Sequence, residues 1–356
     1  MKSKKIKIAL LFGGSSAEHE VSITSASSIY KNLDKKKYEI ICIYINKKGQ
    51  WRMADSPLLP LSSLKKGSFS SFLPWKKRSL SDDIDADIYF PVLHGPCGED
   101  GTIQGLFEMA DVPYVGATVL SSALGMDKAV AKTLFKINGL PVVKHLILFE
   151  SDWQRQRNKI LSKIHREFSM PFFVKPANLG SSVGITKVKT QTQSESALEE
   201  AFQYDRKILV EEGIQGKELE CSVLGNENPR ASLPGELIPF REFYDYKDKY
   251  VEGKTSFVIP AKIPSSVAEE IQRLSLEAFK AIDCSGMARV DFLMDEETGR
   301  IFLNEINTIP GFTEISMYPK LWQVSGLPFP KLLDTLVKLG LERHGRKKRT
   351  WRNFKT

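Results

Sequence analysis

Three consecutive segments decide how this chain is read: Ala288-Arg289-Val290-Asp291-Phe292-Leu293, Asp295-Glu296-Glu297-Thr298-Gly299, and Leu303-Asn304-Glu305-Ile306-Asn307. Apolar and polar residues alternate in the first, the pattern of a half-buried strand. The second reads as a turn, and Arg300 to Asn307 as the returning strand. Side chains two apart on a strand share a face, so Arg289 pairs in direction with Asp291, and Glu305 with Asn307. Folding the hairpin about residue 298 sets Asp291 opposite Glu305 and Arg289 opposite Asn307. One sheet face then carries two carboxylates, a carboxamide and a guanidinium. Hard oxygen donors of this kind suit Mg²⁺, which keeps waters and shares substrate phosphates. A solvated hairpin face with arginine–carboxylate pairs is the alternative. Two features favour the metal. Thr308-Ile309-Pro310-Gly311 follows at once, with backbone N–H groups to receive an anion, and the apolar flanks bury charges that then require a partner.

Upstream, Phe172-Phe173-Val174-Lys175-Pro176 reads as a strand leading to Gly180-Ser181-Ser182-Val183-Gly184. Small residues let backbone N–H groups approach an anion, the hydroxyls add hydrogen bonds, and Lys175 supplies a point charge. An ordinary flexible hairpin turn accounts for the same residues equally well. Two other nucleotide motifs fail. Gly253-Lys254-Thr255 resembles the end of a P-loop, but the position five before Gly253 is Asp248. Gly13-Gly14 lacks the G-x-G-x-x-G spacing of a dinucleotide fingerprint.

The N-terminal part predicts a parallel sheet with covering helices: a buried strand at 6–12, a helix from Ser22 to Leu33, and strands from Tyr38 to Ile45 and Asp87 to Leu93. Residues 54–86 show no period and read as a variable surface excursion. Helices are expected at 103–110, 121–138, 194–203, 265–282 and 329–340. Strands from Pro171 to Pro176, Gly184 to Lys189 and Lys207 to Glu212, then near 217–224, 287–294 and 300–307, predict antiparallel sheets. The domains expected are 1–120, 121–212 and 213–342, with a basic tail at 343–356.

A chain of 356 residues accommodates two or three domains. Hydrophobic residues at 42% and charged residues at 26% exclude disorder and collagen-like structure. No run of about 18 apolar residues predicts a membrane span, and Ile8 to Phe12 is too short for a signal-peptide core. Cys42, Cys97, Cys221 and Cys284 lie far apart, which predicts free or buried thiols in a reducing cytosol. The formal net charge is +8, but residues 343–356 hold seven Lys/Arg and no Asp/Glu, so the body is near neutral. That argues against a nucleic-acid-binding protein, and the tail is read as a solvated, frayed terminus.

From about Lys7 to about Leu341 the sequence resembles the D-alanine–D-alanine ligases of the ATP-grasp superfamily. The resemblance rests on Gly13-Gly14-Ser15-Ser16-Ala17-Glu18-His19-Glu20-Val21-Ser22, His94-Gly95-Pro96-Cys97-Gly98-Glu99-Asp100-Gly101, Met126-Asp127-Lys128, the Lys175 strand with its Gly-Ser-Ser loop, Arg289-Val290-Asp291, and Asn304-Glu305-Ile306-Asn307-Thr308-Ile309-Pro310-Gly311, all in order. It implies an α/β fold in which a parallel-sheet domain joins a two-part module that binds ATP between antiparallel sheets. It implies that two D-alanines are joined through a D-alanyl phosphate, for peptidoglycan precursors in the cytoplasm, by a homodimer using ATP and two Mg²⁺ (or Mn²⁺). By resemblance, Lys128 and Lys175 contact phosphates, with Ser181 and Ser182 in the loop over them. Glu211, Gly213 and Ile214 line the adenine pocket, and Glu218 holds the ribose. Asp291, Glu305 and Asn307 bind the metals. Glu18 holds the first D-alanine's ammonium beside His94, and Ser316 meets the second carboxylate. Arg289 and the Gly311 amide receive the oxyanion. Residues 241–259 match a mobile ω-loop, from which Lys249 reaches the γ-phosphate and Tyr250 links to Ser181 and Glu18. Ester-forming relatives carry histidine at the Tyr250 position, so tyrosine favours peptide synthesis. A ligase of the same superfamily with another acceptor, such as D-serine, is the nearest rival reading.

Overall fold

A computed structural model of the chain describes residues 4–59, 63, 86–238 and 256–351, with side chains to Lys347. The ω-loop residues 241–255 with Lys249 and Tyr250, the Gly253-Lys254-Thr255 motif, most of the 54–86 excursion and the last five residues lie outside the described residues.

The first sheet is built around β1 (Ile6–Gly13), which pairs in parallel with β2 (Tyr38–Ile45) and β4 (Ile88–Val92), while β3 (Trp51–Ala54) adds an antiparallel edge. The unbroken apolar run of β1 follows from burial on both faces. Ile8, Leu10 and Phe12 pack against Ala26 and Ile29 of α1 (His19–Asn32) and against Leu332 and Leu336 of α9 (Phe329–Trp351). Ala9 and Leu11 point the other way, toward Ile103 and Phe107 of α2 (Thr102–Met109).

Next come α3 (Val119–Met126) and α4 (Lys128–Ile137). A single helix over 121–138 is the sequence expectation; the structure breaks it at Asp127. That carboxylate accepts from the Ala129 and Val130 amides, both at 3.1 Å, and so caps α4. It also pairs with Lys207.

The second sheet is antiparallel, in the order β5 (His145–Phe149), β8 (Lys207–Glu212), β6 (Phe172–Pro176), β7 (Thr186–Val188). Phe172, Val174, Ile208 and Val210 face α5 (Glu150–Glu167) and α6 (Ser194–Phe202). Strand parity sends Lys175 and Glu211 to the opposite face. Sequence reading missed α5, because only Trp153, Ile160 and Ile164 of its 18 residues are buried.

The third sheet has the order β12 (Ser256–Val258), β11 (Gly235–Ile238), β9 (Gly216–Gly225), β13 (Gly286–Asp295), β14 (Ile301–Asn307), with β10 (Arg230–Ala231) on β9. Leu219, Cys221, Val223, Ala288, Val290 and Phe292 pack under α7 (Ser265–Ala281), through Ile271, Leu274 and Ala278. The hairpin register is the expected one: Asp291 lies opposite Glu305 and Arg289 opposite Asn307. The loop after β14 leads into α8 (Met317–Val324).

Among the described residues no helix is long and apolar enough to cross a membrane. All four cysteines are free thiols, and only Cys97 is exposed.

The expectation of a frayed tail from residue 343 is overturned. Helix α9 runs on to Trp351, and Arg343 is driven into the body. Its guanidinium donates to the Gly116 carbonyl, to the Tyr114 carbonyl at 3.0 Å and to Ser285 Oγ at 3.0 Å, and lies 4.4 Å from the Tyr114 ring centre. Lys347 pairs with Glu108. Apart from Ser285, which precedes β13, these partners stand more than two hundred residues away in or near the first part, so composition alone could not reveal them. Replacing Arg343 by Met strands two buried carbonyls and removes a stacked cation. It should lower unfolding stability by about 2–4 kcal/mol, read as a lower urea midpoint, with turnover per folded molecule unchanged. An unmoved midpoint would restore the frayed-tail reading.

Candidate active site

One cavity draws on all three parts of the chain. Glu18, Val21 and His94 come from the first part, and Gly180 and Ser181 from the loop after β6. Glu220, Arg289, Glu305 and Asn307 come from the third sheet, and Gly311, Thr313 and Ser316 from the loop beyond β14.

Glu18 sits at the head of α1, its amide bonded to Ser16 Oγ at 3.2 Å. The Ser181 hydroxyl donates to its carboxylate in a short hydrogen bond that joins the first part to the second. Ser181 and Ser182 both take left-handed backbone angles, φ 52° and 59°. Two successive non-glycine residues there store about 1–3 kcal/mol each, the kind of strain that collects at ligand clamps. The approach is tight: a Cβ on Gly180 would stand 3.3 Å from Glu18 Oε2, and one on Gly95 3.0 Å from the same atom.

His94 is buried, with Nδ1 3.1 Å from the Ile309 carbonyl and 3.4 Å from Glu99, and Nε2 3.4 Å from Ser25 Oγ. A carbonyl only accepts, so Nδ1 carries the proton. Burial pulls the ring's pKa down, but the Glu99 carboxylate and the charge of Glu18 more than reverse it. Sequence reading quoted Glu99 in its motif without giving it a role; the structure makes it the buried partner that orients His94.

Arg289 donates from Nε to Asp291 Oδ1 at 2.7 Å and from Nη2 to Oδ2 at 2.6 Å, and its Nε lies 3.2 Å from Glu220 Oε2. Burial opposes its charge, yet the two carboxylates hold it well above its ordinary value. Glu220 was missed in the sequence. The signal was there: in Glu218-Leu219-Glu220-Cys221 the period-2 rule places Glu220 on the same face as Glu218, and β9 pairs it directly with Asp291.

Gly311 and Ser316 lie close together. The Ser316 hydroxyl accepts from the Thr313 amide at 3.0 Å, and a Cβ on Gly311 would come within 2.7 Å of it. Asn307 Oδ1 accepts from the Ile309 amide at 3.0 Å.

Lys128, Lys175, Glu211, Gly213, Ile214 and Glu218 stand outside the cavity lining and extend the site beyond it. Lys128 Nζ donates to the Leu179 carbonyl at 2.7 Å and lies 3.4 Å from Glu305 Oε2. Lys175 Nζ lies 2.6 Å from Glu211 Oε2 and 3.5 Å from Asn304 Oδ1. The other oxygen of Glu211 is 3.1 Å from Lys132 Nζ, a buried lysine that sequence reading did not single out. Gly213, between β8 and β9, donates to the Pro171 carbonyl at 3.2 Å, so close that a Cβ would stand 2.4 Å from that oxygen. Ile214 beside it is half-buried, and Glu218 lies on β9 opposite Leu293.

Lys175 and a strained serine loop on one antiparallel sheet, with Lys128 on the adjoining α4, face carboxylates on another sheet, and a largely parallel sheet stands beside them. That is the architecture of an ATP-grasp ligase. Residues 7–117 match the family model of the D-ala D-ala ligase N-terminus, and residues 134–338 that of its C-terminus. A D-alanine–D-alanine ligase of Thermoanaerobacter sp. strain X514 is 51% identical, over 98% of this chain and all of the relative. The solved D-alanine-D-alanine ligase of Coxiella burnetii superposes with a TM-score of 0.84 at 40% identity, covering 98% of each chain. The VanG D-Ala:D-Ser ligase of Enterococcus faecalis superposes at 0.85 with 37% identity, over 94% of this chain and 99% of that one. The chain belongs to the D-alanine–D-alanine ligase family.

The Glu211 cluster sets an acid limit to stability. Burial raises that carboxyl, but Lys132 and Lys175 more than offset it and hold it down at about 2. A depressed carboxyl stabilises the fold above its unfolded-state pKa, and the contribution disappears as pH falls from about 4.5 toward 2. Over that window the protein should lose roughly 3 kcal/mol from this group alone. Urea unfolding at stepped pH should show the loss, and Glu211→Gln should lack it. Equal acid limbs in the two proteins would contradict the assignment.

Proposed function

We propose that the chain joins two D-alanines into D-alanyl-D-alanine for peptidoglycan precursors, with hydrolysis of ATP to ADP, using the residues described above in the following roles. The observation that carries the reading is the convergence of Glu18, Ser181, Arg289, Gly311 and Ser316 on one cavity that Glu305 and Asn307 also line.

Glu18 takes the ammonium of the first D-alanine, beside His94. That orients its carboxylate toward the γ-phosphate of ATP, with Lys128 and Lys175 on the phosphates and the Ser181–Ser182 backbone as the clamp. The carboxylate oxygen attacks phosphorus, the bond to the bridging oxygen breaks, and ADP leaves a D-alanyl phosphate. Transfer of this kind depends mostly on positioning and charge neutralisation. Ser316 holds the carboxylate of the second D-alanine, whose amine attacks the acyl carbon. The developing oxyanion meets Arg289 and the Gly311 amide, and inorganic phosphate departs as the peptide forms. Each such donor is worth about 10²–10³ in rate. Glu211, Gly213 and Ile214 line the adenine site, and Glu218 takes the ribose.

Asp291, Glu305 and Asn307 fit divalent metals by donor chemistry: two carboxylates and a carboxamide, all hard oxygens. Among the described residues no group of three or more His, Cys, Asp or Glu is gathered about one point. The proposed set has only two such residues beside Asn307, and here Arg289 occupies both oxygens of Asp291 while Lys128 stands against Glu305. Those two cations stand in for the positive charge the carboxylates require. When bound, two Mg²⁺ (or Mn²⁺) would neutralise phosphate charge there. Free thiols and the use of ATP support a cytoplasmic location, and the family resemblance supports a homodimer.

ADP release should be seen with D-alanine and not with L-alanine, and the product should have the mass of the dipeptide. The VanG neighbour makes D-serine the informative second acceptor. A mixed D-alanyl-D-serine product at matching efficiency would replace the reading. Asp291→Asn and Glu305→Gln should each lower ADP release at least about 10²-fold while circular dichroism stays unchanged. Near-normal turnover in either would remove that residue from the metal site.

A further inference from the structure

The proposed role of Lys175 raises a physical difficulty. Its ammonium is 2.6 Å from Glu211, a carboxylate that competes with a triphosphate for the same cation. Glu211 is buried, its side chain only 2% exposed. Withdrawing the sole counter-ion of a buried carboxylate is strongly unfavourable. A second cation removes the difficulty, and Lys132 is placed to be one.

Lys132 lies on α4, one turn beyond Lys128, and its Nζ is 3.1 Å from the other Glu211 oxygen. A buried lysine is rare unless paired. Its side chain is 1% exposed against 13% for Lys175, so the two cations are not equivalent. The inner one has nowhere to go, and the outer one reaches toward Asn304 and the acidic strand β14. Two cations on one carboxylate also repel each other, which favours release of the outer one.

We infer that Lys132 is a positioning residue for nucleotide use: it remains on Glu211 as a fixed counter-ion and thereby frees Lys175 to move to the phosphates of ATP. The inference deepens the proposed role of Lys175 and rests on it. Glu211 keeps unused lone pairs in this arrangement, so its place in the adenine pocket is compatible with both contacts.

The test uses the full-length enzyme and separates nucleotide from amino-acid binding. Lys132→Met leaves Lys175 as the only counter-ion of Glu211 and so ties it down. KM for ATP should rise about 10-fold or more, the stranded-carboxylate scale, with KM for D-alanine changed less than about 2-fold. Calorimetry with a non-hydrolysable ATP analogue should show the same loss, and adenosine, which has no phosphates, should show little. Lys132→Arg keeps the cation and should stay near wild type. The double variant Lys132→Met/Glu211→Gln removes the anion that holds Lys175 and should regain part of the ATP affinity. If Lys132→Met does not fold, Lys132→Gln carries the same expectations. Unchanged ATP affinity in a folded neutral variant would overturn the inference, as would equal losses for ATP, adenosine and D-alanine. Lys175→Met distinguishes the two levels. If it too binds ATP normally, the phosphate reading of Lys175 has failed. If it alone loses ATP, only the role of Lys132 has.

Discussion

Glu220, Asp291 and Glu305 form a row of directly paired residues across three neighbouring strands, β9, β13 and β14. Like charges set opposite one another on a sheet repel, and Glu220 and Asp291 are largely withdrawn from water, with Glu305 partly so. The row is tolerable because Arg289 binds two of its members and Lys128 stands beside the third. The rest of the site depends on this arrangement. A fold that needed only stability would fill those positions with apolar side chains, since buried ion pairs seldom improve on them. The acidic row therefore points to chemistry.

The second sheet carries the opposite imbalance. Lys132 and Lys175 share one carboxylate, Glu211, and Lys128 adds a further cation at the start of α4. The two surfaces meet at Lys128 with Glu305 and at Lys175 with Asn304. In the proposed reading a triphosphate enters between them, with its anionic oxygens toward the cationic sheet and divalent cations toward the acidic one. Each surface stores its charge on partners that the ligand can replace. Nothing then has to be exposed to water unpaired before the nucleotide arrives.

Much of this was legible in the sequence, because strand parity is a strict rule. Alternation in Ala288 to Leu293, with the spacing to Glu305, fixed which side chains share a face, and the register agrees. The long apolar run of β1 likewise announced a strand buried on both faces. What escaped had no local signal. Lys132 reads as an ordinary helical lysine, and its partner is 79 positions on, in another element. Arg343 lies in a run of basic residues that composition assigns to solvent, while two of its partners are backbone carbonyls, which leave no mark in sequence. Helix α5 was missed because three apolar anchors among 18 residues give too faint a period. The miss at Asp127 has a different origin. Both flanking segments are good helix formers, and the break comes from a side chain that caps the second helix.

The distribution of apolar contacts decides which part of the molecule is separable. Leu224 and Met287 of the third sheet belong to the same core as β1, α1 and α9, and Arg343 adds polar ties between the first part and Ser285. The first and third sheets are therefore joined by continuous packing. The core of the second sheet is different: its members all fall between Leu146 and Val210. Among the described residues its links to the remainder include a small cluster of Ala129, Ala177 and Leu209, with Ile147 against it, and polar contacts at Ser181, Lys128 and Lys175 together with the Lys207–Asp127 and Glu211–Lys132 pairs. A body with its own core and a polar boundary can shift as a unit at far lower cost than one whose core is shared. The strained Gly-Ser-Ser loop rides on that body, and the Ser181–Glu18 hydrogen bond is its latch to the first part. The packing therefore sets residues 145–212 apart from the larger half that carries Asp291, Glu305 and Arg289.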